Sequence, residues 1–263
     1  MLSTSRCGRA AATLALVGLL VAGSGNAQAA GSAVSGVLAN FTVGGINTSV
    51  GPVNRLGSGG LGSTYDKTAK SGPYHRQLAL STEGDMQPIL TIGASNIVSQ
   101  VSGKFGVDTI SEQGAAALYG FRLALVPKRA PGLAIIPFLQ ISAHGLHESG
   151  SFNRVVPNRN TISSASDIKE LEISGSLVGN RTLRFDGPAA QNHILYQSPT
   201  VTITLNQVTS TDLISCGPKC VVTPFSVRTS VLNISLDQAA IGNRKITGEI
   251  VIGGADAGIE GIF

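Results

Sequence analysis

Two cysteines stand four positions apart in Ile214-Ser215-Cys216-Gly217-Pro218-Lys219-Cys220-Val221-Val222, in a chain that has only three. Such a pair can bind a metal, cycle between thiol and disulfide, or close a turn. A structural zinc wants four ligands, and no nearby His or Cys supplies the others. A redox centre is ordinarily Cys-x-x-Cys, one residue tighter than this. Gly-Pro-Lys can instead form a three-residue hairpin turn, whose flanking residues face each other about 4.5–5.5 Å apart between Cα atoms, within disulfide reach. The expected chemistry is a Cys216–Cys220 bond that stiffens a projecting turn. It contributes only about 2 kcal/mol, because the loop it closes is so short.

Other chemically suggestive strings carry less. Gly57-x-Gly59-x-x-Gly62 matches the dinucleotide fingerprint, but that motif must open a helix, and Gly72 and Pro73 interrupt the chain before a helix could cross a sheet. His144, His147 and Glu148 are the one cluster of metal-friendly side chains, and they read as surface loop residues. Glu83 with Asp85 and Glu170 with Glu172 are close in sequence, as solvated positions often are. No Gly-x-Ser-x-Gly elbow occurs. No catalytic residue, metal or cofactor is therefore assigned. Two long polar stretches, 57–76 and 144–160, are expected to be loops. Their residues Tyr65, Tyr74, His75, His144, His147, Arg154 and Arg159 are the candidates for binding a glycan or small ligand.

The elements that must position these residues are strands. Thr200–Val208 alternates Val201, Ile203 and Leu205 with Thr202, Thr204 and Asn206, then slips, with Gln207 polar and Val208 apolar. Period two with β-branched residues marks a half-buried strand. Phe225–Leu236 and the stretches around Leu38, Ile173 and Ile250 read alike. Ala115–Val126 is ambiguous: its alanines favour helix, while Phe121, Leu123 and Leu125 alternate as in a strand. Gly-Asn at 179–180 and 242–243 tolerates the positive φ of tight turns. Two hairpins are expected there, Lys169–Val178 with Thr182–Phe185 and Val231–Ile241 with Lys245–Ile252. Val34-Ser-Gly, Val101-Ser-Gly, Ile173-Ser-Gly and Ile246-Thr-Gly suggest either a worn internal repeat or bulged strands in a Gly/Ser-rich chain. The expected fold is all-β, a sandwich or elongated β-domain with hairpins, with a division near 127–132 if there are two units.

Residues 1–29 read as an export signal: basic Met1–Arg9, apolar Ala10–Ala22, and Ala27-Gln28-Ala29 before the cut. The β-rich domain then begins at Ala30, in the extracellular space, at the cell surface or in the periplasm. No later segment reaches eighteen apolar residues, so no membrane-spanning helix is expected. Without Arg6 and Arg9 the formal charge falls from +4 to +2, and the remaining basic residues are scattered. Nucleic-acid binding wants a concentrated basic footprint. Charged residues are only 13% of the chain and tryptophan is absent. The leading expectation is a non-enzymatic structural or adhesive protein that associates with itself or with a cell-surface matrix. Ser32–Gly45 is where strand exchange with a neighbouring molecule would start, unless it is the first strand of its own sheet. The alternative is a glycan or small-ligand module; a secreted hydrolase comes third.

Asn96–Ser111 (NIVSQVSGKFGVDTIS) and Ile246–Gly261 (ITGEIVIGGADAGIEG) resemble secreted bacterial proteins of the choice-of-anchor P type. The resemblance covers about 30 residues of strand-like sequence. It implies an exported, β-rich surface protein whose attachment signal varies. It carries no functional residue across.

Overall fold

A computed structural model describes residues 31–59, 64–80, 88–106, 109–127, 136–155, 159–216 and 220–258. Within them, the side chains of 58–59, 155, 159, 211–216 and 220–225 lie outside the description. Residues 1–29, read above as an export signal, Gly62, Glu83, Asp85 and residues 128–135, which include most of the proposed division, also lie outside it.

The described residues form antiparallel strands and one 3-10 turn, Ser176–Val178. In chain order the strands are β1 (Gly31–Val43), β2 (Ile46–Val53), β3 (Leu56–Gly59), β4 (Tyr65–Ser71), β5 (Tyr74–Ala79), β6 (Pro88–Ala94), β7 (Asn96–Phe105) and β8 (Thr109–Pro127). They continue as β9 (Leu139–Val155), β10 (Arg159–Gly175), β11 (Arg181–Ala189), β12 (His193–Gln197), β13 (Val201–Cys216), β14 (Cys220–Ile241) and β15 (Arg244–Gly258). One sheet runs β12-β13-β14-β15-β1-β2, with β3 beside the start of β1. The other runs β11-β10-β9-β8-β6-β5, with β7 and β4 continuing past the other half of β8. The sheets stack face to face as a sandwich, β15 over β8 and β9, β14 over β9 and β10, β1 over β7 and β8.

Both expected hairpins form. Leu171 pairs with Phe185 and Gly175 with Arg181 across a turn in which Gly179 and Asn180 take φ of 70° and 56°. Ala239 pairs with Ile246, and Gly242 turns the chain at φ 65°. Ala115–Val126 resolves as strand: Ala115, Ala116 and Ala117 pair with β7 on one side and β9 on the other, with Ala116 buried inward and its two neighbours half-buried on the outer face. The stretches 57–76 and 144–160 are mostly not loops. The first holds β3, β4 and the start of β5; the second is the arms of the β9–β10 hairpin. Polar composition misleads there, because a strand with one solvated face is also polar. Ser32–Gly45 is the first strand of its own sheet, with β15 on one side and β2 and β3 on the other, so it offers no free edge for exchange. The four repeat-like glycines fall on β1, β7, β10 and β15 without one common setting: Gly36 is skipped in the pairing register, Gly103 lies beneath the Tyr65 ring, and Gly175 and Gly248 alone share a positive φ against a neighbouring strand's carbonyl.

One irregularity recurs at the same level of every long strand. Asn206, Val231, Gly253 and Gly36 are each skipped in the register of the first sheet, and lie side by side on β13, β14, β15 and β1. Gly120 and His144 are skipped in the second, and Glu170 continues the row, its N–H donating to Asp186 Oδ1 at 3.0 Å. An extra residue reverses which face later side chains occupy. Below the row the inward positions on β8 and β9 are odd: Phe121, Leu123, Leu125, Leu139, Ile141. Above it they are even: Glu112, Gly114, Ala116, Leu118, Leu146, Glu148. The row also divides the interior. The lower half is filled by large aliphatic side chains in one continuous core. The upper half is thin, with two small clusters around Val34 and Phe152 and polar groups beside them.

Gly253 sits in this row at φ 63°, where a Cβ would lie 2.8 Å from Val231 Cγ1. Gly253→Ala is expected to lower the unfolding free energy by about 2–4 kcal/mol, from left-handed strain plus the clash. Gly72→Ala, at an exposed turn with nothing within 4 Å, should change it by less than about 0.5 kcal/mol. Urea unfolding of both variants checks this; equal midpoints would contradict the bulged row.

Candidate functional site

The upper interior gathers the buried polar groups. Glu148 on β9 is 2% exposed and accepts a hydrogen bond at Oε2 from the Ser166 hydroxyl of β10, directly opposite in register. Its Oε1 has no partner of good geometry. Two residues along the same face, Gly150 leaves room for Thr229 of β14, whose Oγ1 would stand 2.9 Å from a Cβ there. Burial pushes the Glu148 carboxyl up to about 8, and the Ser166 and Thr229 hydroxyls only partly offset it. Glu112 on β8 is fully buried, and its Oε2 accepts the Gly258 N–H at 3.0 Å, holding the end of β15 against the opposite sheet. Ser32 and Tyr65 share a 2.9 Å hydrogen bond nearby. Burial raises the Tyr65 phenol, and the Glu112 charge adds to the shift.

These two acids do not make a catalytic pair. Glu112 lies opposite Phe152, four positions from Glu148, a separation of about 13 Å along the strands. Carboxylates that share a glycosidic bond stand about 5–9.5 Å apart. Both are also enclosed between the sheets.

The seven candidate binding residues scatter. Tyr65 is spent on Ser32 and packs over Gly103, 6.2 Å from the Phe105 ring. Tyr74 is half-buried against the main core. Arg154 is half-buried on β9; Arg159 begins β10, and its side chain lies outside the described residues. His75, His144 and His147 do share the outer side of the second sheet, His147 edge-on to Tyr119 at 5.2 Å. His147 and Glu148, adjacent in sequence, point to opposite sides of β9. The cluster read from His144 to Glu148 is thereby split, and Glu148 is an interior group, not a loop residue. Among the described residues no three His, Cys, Asp or Glu side chains come together as a metal site. No helix among them is long and apolar enough to cross a membrane.

Sequence reasoning misses Glu112, Glu148 as an interior acid, and Arg122. The first two carry one legible signal: each occupies an inward beat of an alternating strand, between Ile110 and Gly114 or between Leu146 and Gly150. Arg122 becomes notable only through register. It is exposed on β8, between Gly93 of β6 and Ser142 of β9, with His75 of β5 beyond the glycine. A groove of about 480 Å³ opens there on the outer face. Two sites therefore stand out, an enclosed carboxyl and an open polar groove. Comparison with protein-family models, characterised proteins and solved structures found no match.

The Glu148 carboxyl makes a signed prediction. Its folded pKa, about 8, exceeds the ordinary 4.5. The native state thus holds a proton that the unfolded state has lost, and stability falls as pH rises from about 4.5 to about 8. The full loss is on the order of several kcal/mol. Arg228 and Asp256, the ion pair on the strands packed above, are exposed and lie on the solvent side. Glu148→Gln should match wild type at pH 5 and exceed it in melting temperature at pH 8.5. An unchanged difference across that range would remove the buried-acid account.

Proposed function

We propose that this chain is an extracellular, non-catalytic structural or adhesive protein that associates with copies of itself or with a cell-surface matrix. The observation that carries this reading is the edge of the first sheet. Edge strands β4, β5 and β11 bear Asp66, Lys67 and Lys70, then Arg76, then Arg181, Arg184 and Asp186; β2 bears Pro52, and the uncharged β3 is only four residues long and lies against β7 and β4. Charges and proline are the usual guards against edge-to-edge pairing. Strand β12, His193-Ile194-Leu195-Tyr196-Gln197, has no Lys, Arg, Asp, Glu or Pro, and Ile194 is 53% exposed. It is five residues long and shifts register between Ile194 and Tyr196, so each added pairing is weak and builds by multiplicity. Export through residues 1–29 and the choice-of-anchor P resemblance agree with a surface role.

Export also sets the redox setting of the hairpin tip. In the pairing register Cys216 is directly opposite Cys220, as a closed disulfide wants.

Two measurements test this. Sedimentation of residues 30–263 over a wide concentration range should show reversible assembly, and Ile194→Lys should suppress it at least tenfold in concentration without lowering the melting temperature. A monomer at every concentration overturns self-association. Separately, the exported protein should resist iodoacetamide at Cys216 and Cys220 until reduced; labelling of the folded, unreduced protein refutes the bond.

A further inference from the structure

The groove on the outer face of the second sheet has a consistent chemistry. Two rows of side chains cross the strands there. The first runs His75, Gly93, Arg122, Ser142, Glu172, Arg184, each paired in register with the next. The second runs Gln77, Thr91, Ala124, Gln140, Ser174, Thr182. In the first row, Glu172 is taken by Arg184 at 3.2 Å. Arg122 has no salt bridge among the described residues, and no carboxylate lines the groove. Gly93 and Ala124 keep the floor low between His75 and Arg122 on one side and Thr91 and Gln140 on the other.

We infer that this groove binds an acidic oligosaccharide chain, with a sugar carboxylate on the Arg122 guanidinium and sugar hydroxyls on Thr91, Gln140 and Ser142. A guanidinium is suited to a planar carboxylate, which it grips with two donors. Neutral hydroxyl and amide groups around a single exposed guanidinium fit a ligand that is mostly hydroxyl with a spaced negative charge. From Gln77 on β5 to Ser174 on β10 the row spans about 19 Å at the usual strand spacing, room for several sugar rings. A nucleic acid would want more cations and several exposed rings for its bases to stack on, and the groove lining offers one arginine and the single ring of His75. This site is independent of the β12 edge. It uses none of the same residues and faces outward from the other sheet.

The Gly93 backbone makes the test clean. It has an ordinary φ, and an added Cβ would meet Tyr74 O at 3.6 Å and His75 Nδ1 at 3.8 Å, both normal contacts. Gly93→Val should therefore fill the floor without disturbing the fold. Calorimetric titration with tetragalacturonate, the neutral glucose tetramer of cellulose, and monomeric galacturonate reads the site. The acidic tetramer is expected to bind at least tenfold tighter than either of the others. Arg122→Gln and Gly93→Val should each weaken it at least tenfold with unchanged melting temperature, while Ile194→Lys leaves it intact. Absence of binding to tetragalacturonate overturns the proposal. So does equal binding of the neutral tetramer, which removes the charge requirement, or of the monomer, which removes the chain. Unchanged affinity in both groove variants moves binding elsewhere and refutes the site.

Discussion

Long β-strands cannot stay straight. Their right-handed twist accumulates, and two stacked sheets with strands of 15 to 22 residues, as β14 and β15 are, would splay apart unless the twist were reset. Here the reset is the row of skipped residues that crosses both sheets at one level. Each skipped residue takes up twist and exchanges the faces, so odd and even positions swap roles midway along β1, β8, β9, β10, β13, β14 and β15. Asn206 at φ 46°, Gly253 at 63°, Gly120 at 55° and Glu170 at 51° do so with a left-handed backbone. The rest of the sandwich is arranged around that line.

The two halves on either side differ in what holds them. Below, Phe121, Leu123, Ile141, Leu232 and Ile250 bury apolar area in one connected core, the dominant favourable contribution to folding. Above, Gly114, Gly150, Ala116 and Ala255 bring the sheets close, and little apolar volume is available. Polar groups do the joining there, Glu112 to the Gly258 amide and Tyr65 to Ser32, while Glu148 to Ser166 ties two neighbouring strands of one sheet. Buried hydrogen bonds fix register more sharply than they stabilise, since an unmet partner costs more than a met one gains. The upper half is thus specified more than it is stabilised.

Much of this is legible in the sequence. The slip of alternation at Asn206-Gln207-Val208 marks the bulge on β13, and the turn glycines mark both hairpins. The ambiguity of Ala115–Val126 has the same cause, because Gly120 breaks one alternating strand into two that are out of phase. Strand identity survives in local periodicity. Partner choice does not. Nothing near Arg122 in sequence indicates Gly93 or Ser142, and nothing near Glu112 indicates Gly258, 146 residues away. Polar character misplaces 57–76 and 144–160 as loops, for a strand whose outer face is wet has the same composition as a loop. Glu148 is misread for a related reason: adjacent residues on a strand go to opposite solvents, and a motif counted along the chain assumes they share one.

Strand β1 lies between β15 and the β2–β3 pair, with Gly31 facing Gly258 and Val43 facing Ile246. The first strand described therefore completes its hydrogen bonds only when the last one arrives. Pairings of such separation close large loops before any contact rewards them, which slows folding. As the chain emerges from the ribosome, the second sheet can assemble from neighbours in sequence, while β1 waits with one edge open. The first sheet therefore closes only after β15 has been made, however early β1 and β2 have paired.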